Sequence, residues 1–209
     1  MRRQTTVYLL AAFTVITSAS GRSPVLSSPE WTEARKVYFE GVEGNRQSAE
    51  KAVKLVAALY ESHPEDTTVK AYRGSLYLLE SSWALAPWKK GSLAKSGLGL
   101  LDEAIKSSPE DLEIRFVRAA STMRLPGFFR REAQSADDFA LLAAKAPPAV
   151  SAGVLEPKLA AAALLYHGLN CQKRQDAQSA RRAWQIAVSI GRETPPAREA
   201  SRLLQGEKL

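Results

Sequence analysis

The chain has 209 residues, 45% of them apolar, with one cysteine and a formal net charge of +7. This excludes a disordered or membrane-dominated chain and any internal disulfide, and it suits one globular domain or a short repeat array. The positive charge favours anionic partners without choosing among nucleic acid, anionic lipid, wall polymer and acidic protein.

The first stretch, MRRQTTVYLLAAFTVITSASGRSP, places Arg2 and Arg3 before an apolar run from Val7 to Ile16 and the small residues Ser18, Ala19 and Ser20. A charged region, a short apolar region and a small-residue end make a secretory signal over residues 1–20, with cleavage expected after Ser20. The run is short for a bilayer span, although an uncleaved anchor is the other reading. No cysteine follows it for lipid attachment. The mature protein is therefore expected to be periplasmic or secreted, with no nucleic acid as partner. Residues 21–28 read as a linker and 29–207 as one helical domain.

Ala and Leu dominate the apolar residues, while Val and Ile are sparse, which favours helix over strand. Three phrases punctuate the chain: SPEW at 28–31, HPED at 63–66 and SPED at 108–111. Ser28 and Ser108 suit N-caps, proline suits the first helical position, and the acids suit the positive end of a helix dipole. Helices are thus expected to begin at about 29, 64 and 109. Pro29 and Pro64 are 35 residues apart and Pro64 and Pro109 are 45 apart. The extra residues of the second unit fall at SSWALAPWKKG, where Pro87 and Gly91 are expected to break the helix.

The second helix of each unit repeats a small, a bulky and an apolar residue at steps of four and three. These are Ala52, Val56 and Leu59; Gly97, Leu101 and Ala104; Ser135, Phe139 and Leu142; and Ala180, Trp184 and Ala187. Each triplet occupies one helical face, and its small member lets a partner helix approach. Gly74, Ala119 and Gly168 are the small positions of the first helices. AVSAGVLEP (149–157) reads as a loop, and Thr194-Pro195-Pro196 as the start of a last helix with Ala197, Ala200, Leu203 and Leu204 inward.

With its near-34-residue period and YHGLNCQKRQDAQSARRAWQIAV at 166–188, the region from about 30 to 190 resembles the tetratricopeptide repeat family. It departs from that pattern in lacking the first-helix Trp-Leu pair and in placing Arg73 and Arg118 at apolar positions. The resemblance implies an all-α superhelix of about four helix hairpins with a C-terminal capping helix, and a role in binding other proteins.

Candidate chemistry is sparse. His167 and Cys171 share a helix face but lack the third or fourth ligand of a tight metal site, and no cofactor motif is present. Asp137 and Asp138 are adjacent and suit surface charges or partners for Arg130 and Arg131 better than a catalytic pair. Glu103 or Glu132 is the acid that a wall-acting lytic enzyme would use. Two turns combine proline, large aromatics and bases: APWKKG, with Trp88, Lys89 and Lys90, and LPGFFRR, with Phe128, Phe129, Arg130 and Arg131. Aromatics beside arginine compose interface hot spots, although the same rings also serve as packing. Lys70 with Arg115 and Arg73 with Arg118 recur at the 45-residue offset, which suggests a basic ladder on a concave face for an acidic peptide, with pairing to Glu103, Glu110 or Glu113 inside the array as the other reading. The expected function is a non-catalytic binding or assembly module of the bacterial cell envelope. A homo-oligomeric structural protein and a wall hydrolase are the alternatives, with an anionic envelope surface as a further partner.

Overall fold

A computed structural model describes residues 23–206. The predicted signal falls outside the described residues. Those that are described form nine α-helices, two short 3-10 turns and no strand. In chain order the helices are α1 (Pro29–Val42), α2 (Arg46–Ser62), α3 (Thr67–Trp83), α4 (Pro87–Ser107), α5 (Leu112–Thr122), α6 (Glu132–Ser151), α7 (Pro157–Lys173), α8 (Ala177–Gly191) and α9 (Pro195–Leu204).

Local chemistry fixes most helix starts. Ser28, Asn45, Asp66, Asp111 and Asp176 each accept a backbone amide of the first turn, which satisfies donors that have no partner within the helix. α4, α7 and α9 instead begin with proline, whose missing N–H leaves nothing unpaired there.

This corrects two expected starts. SPEW does begin a helix at Pro29, but HPED and SPED are used differently. Their prolines lie in turns, and the terminal Asp66 and Asp111 are the caps, so α3 and α5 begin three residues later, at 67 and 112. Asp66 accepts the Val69 amide at 2.8 Å, and Asp111 accepts the Glu113 and Ile114 amides at 2.9 and 3.0 Å. His63 and Ser108 end the preceding helices instead. A fourth-position aspartate is a strong cap, whereas SPEW offers only Trp31 there.

Two predicted irregular stretches are shorter than expected: the break in SSWALAPWKKG spans only 84–86, and the loop expected over 149–157 begins only after Ser151. The extra residues of the second unit lengthen α3 and α4, so that Pro87 is the first residue of α4 and Gly91 lies within it. α6 runs through Pro147 and Pro148 to Ser151. Both prolines are exposed, so they cost backbone hydrogen bonds without disturbing the core.

Sequential helices pack as pairs: α1 with α2, α3 with α4, α5 with α6, and α7 with α8. Further contacts link α3 to α5 and α7 to α9. The repeated triplets form the pair interfaces. Eleven of their twelve residues are buried, and Leu59 is half-buried. At α3/α4 the backbones nearly touch, since a Cβ on Gly97 would lie 2.6 Å from the Gly74 carbonyl oxygen. At α7/α8 the absent side chain of Gly168 makes room for the Trp184 indole, which donates to the Leu165 carbonyl at 3.3 Å.

The core has two clusters, and α5 serves both. Ile114 and Val117 join the α1–α4 cluster, while Leu112, Phe116 and Ala119 join the α6–α9 cluster. The chain also curves back on itself. Arg35 on α1 pairs with Glu156 before α7 at 2.8 Å, and Lys158 on α7 pairs with Glu43 after α1 at 2.5 Å.

Candidate functional site

The first helices of the pairs surround a hollow of about 1020 Å³. α1 contributes Tyr38, Phe39 and Val42; α3 contributes Ser75, Leu78, Leu79 and Trp83; α5 contributes Phe116 and Ala120. α7 supplies Leu159, Ala162 and Tyr166, and α9 supplies Pro195 and Pro196. The wall is thus mainly apolar and aromatic, the composition of a binding cavity. Arg46, Arg124, Lys158, Glu43 and Glu199 add charge to the lining. The Arg46 guanidinium lies 3.6 Å from the Trp83 ring centroid and also pairs with Glu50, which ties the start of α2 to the end of α3.

Besides these charged side chains, the wall carries a hydroxyl chain. Tyr38 Oη and Ser75 Oγ are 2.7 Å apart, Ser75 and Ser121 are 2.7 Å apart, and Ser121 Oγ donates to the Val117 carbonyl at 2.6 Å. This leaves three buried or half-buried hydroxyls satisfied between α1, α3 and α5.

A second polar group joins the same helices. Glu113 on α5 accepts from Arg35 Nε at 2.7 Å and from the Tyr72 hydroxyl at 2.5 Å. Burial, reinforced by the Glu113 charge, holds the Tyr72 pKa well above that of a free phenol. Burial likewise raises Tyr38. Arg35 is desolvated, which lowers its pKa, but the Glu113 hydrogen bond and nearby carboxylates outweigh this and keep it raised. Through Glu113, Arg35 and Glu156 one network links α1, α3, α5 and the entry to α7.

The basic ladder lies outside the hollow and is internally paired. Arg73 donates to Glu80 at 2.9 Å and stacks over Tyr77, and Lys70 approaches Glu103 at 3.6 Å. Arg118 grips buried Asp138 through two hydrogen bonds of 2.9 Å, and Arg115 reaches the same carboxylate at 2.8 Å. Arg131 forms a two-pronged pair with Asp102 at 2.9 and 2.7 Å. These ion pairs clamp α4, α5 and α6 together. Asp138, read from sequence as a surface charge, is the buried centre of that clamp, whereas Asp137 is exposed.

The aromatic turns divide. Phe129 packs against the α1–α4 cluster, and Phe128 stacks on it at 4.4 Å while staying exposed. Arg130 is exposed and takes a left-handed backbone conformation, φ 54°. Trp88 is 80% exposed, with Lys89 and Lys90 exposed beside it. None of the eleven residues singled out from sequence lines the hollow.

Glu132 is exposed and paired with Lys173, and neither it nor Glu103 lines the hollow. His167 Nε2 and Cys171 Sγ are 3.6 Å apart, and no group of three ligating side chains stands among the described residues. Burial lowers the His167 pKa and raises that of Cys171, so the cysteine is a thiol at neutral pH.

The sequence held one missed signal for the hollow. LAAAALLY (159–166) is apolar on every face, so α7 must be covered on more than its α8 side. No family model, curated protein or solved structure matches the chain.

Proposed function

We propose that this chain is a non-catalytic binding module of the cell envelope, built as a tetratricopeptide-like superhelix, and that it captures an apolar segment of a partner protein in the central hollow. The hollow carries this reading. It has the mainly apolar wall of a ligand site, and it draws on six helices spread along the sequence. The paired arginines support the hollow over the basic ladder, because a cation already bound to a carboxylate has less to offer an acidic peptide. The export-like N-terminus supports the compartment.

The test is binding of apolar peptides selected against the full chain, compared with a Met123→Arg variant. Met123 lines the hollow and is half-buried. The proposal expects at least about tenfold weaker binding, since a charge replaces apolar contact. Unchanged binding by an equally helical variant would overturn it.

A further inference from the structure

We propose that the α3–α4 tip is a docking element for the surface of an anionic lipid bilayer. Leu85 is 99% exposed and Trp88 is 80% exposed, three residues apart across Pro87. They are among the largest exposed apolar side chains of the described residues, and neither lines the central hollow. Lys89, Lys90 and Lys95 follow them along α4, all exposed, and no carboxylate lies within ion-pair distance of any of the three among the described residues. The whole stretch 81–101 carries no acid.

The arrangement opposes ordinary stability. Exposed Trp and Leu lose hydrophobic stabilisation, and lysines in the first turn of α4 face the positive end of its dipole. The tip is nonetheless held in place, because Ser81 Oγ donates to the Lys90 carbonyl at 2.9 Å and Gly74 locks against Gly97. It is a fixed protrusion.

An exposed apolar tip followed by unpaired lysines matches an anionic bilayer in character and charge. Indole settles at the level of the headgroups, the leucine enters the acyl boundary, and lysines meet lipid phosphates. A protein partner would need a preformed pit with an acidic rim. Among the described residues no helix is long and apolar enough to cross a membrane, so the contact is a surface one.

The test uses the full chain and vesicles of phosphatidylcholine with phosphatidylglycerol at roughly 2:1, against vesicles of phosphatidylcholine alone. Trp31 and Trp184 are buried and Trp83 is half-buried under Arg46, so the difference from Trp88→Ala assigns a change in tryptophan emission to Trp88. The N-terminal stretch contains no tryptophan and cannot produce the signal. Anionic vesicles should shift the emission to the blue, and brominated acyl chains should quench it. Trp88→Ala should abolish the shift, and each Lys→Ala change should weaken partition about fivefold. All these positions are exposed, so the variants should keep wild-type helicity. No emission change with anionic vesicles overturns the proposal. So does an equal response to both vesicle types, or a shift that survives Trp88→Ala. Binding of an acidic protein at the tip, with no vesicle response, would replace the bilayer with a protein.

Discussion

Gly97 and Gly99 stand two residues apart in α4 and show how one residue type serves opposite ends. A Cβ at Gly97 would strike the Gly74 carbonyl oxygen at 2.6 Å, and backbone cannot swing aside. At Gly99 nothing lies within 4 Å. Gly97→Ala should therefore destabilise the fold by about 1–2 kcal/mol, overpacking outweighing the gain in helix propensity. Gly99→Ala should stabilise it by up to about 1 kcal/mol. Urea midpoints of the two variants should move in opposite directions. Tyr72 makes the same point for titration. Its folded pKa is raised by burial and the Glu113 charge, so the unfolded chain loses the phenol proton first. The stability it contributes is complete below about pH 10 and is lost as pH rises towards the folded pKa. Tyr72→Phe should be less stable at neutral pH by about 1–2 kcal/mol and should lose less stability above pH 10, read from urea midpoints across that range.

At the scale of elements, the triplets were legible because each belongs to one helix. A face repeated at steps of four and three has to be covered, and one small residue per triplet announces a close neighbour. The starts of α3 and α5 were less legible, because SPED contains two acceptable caps three residues apart and HPED, whose His63 is a poorer cap, repeats its pattern. The aspartate prevails because its carboxylate takes amides of the first turn, while His63 and Ser108 close the helices before. Asp111→Ala should cost about 1 kcal/mol. Pro109→Ala, in the exposed turn, should stay within about 0.5 kcal/mol. Equal losses from both in thermal unfolding would return the start of α5 to Pro109.

The whole molecule holds what the sequence could not convey. Arg73 and Arg118 do occupy matching places in successive helices, as their spacing implied. Arg73 pairs with Glu80 on its own helix, whereas the partners of Arg118, Asp102 and Asp138, come from α4 and α6 and depend on which helices meet, which no periodicity carries. The hollow is hidden in the same way, because its wall runs from Tyr38 to Glu199 in sequence. Only the all-round apolarity of α7 pointed to it. Closure follows from Arg35 and Lys158, which bring α1 to the entry of α7 and turn a row of helices into an enclosure.

The most direct measurement is site-specific photo-crosslinking in cells, with p-benzoylphenylalanine placed singly at two positions of the full chain. Ser82 lines the hollow and is exposed enough to accept the probe, and Arg181 lies on the outer surface of α8. Capture in the hollow predicts one discrete adduct from position 82, mapping to an apolar segment of a partner chain, and none from position 181. Adducts from position 181 alone, or none from position 82 in a correctly folded protein, would contradict it.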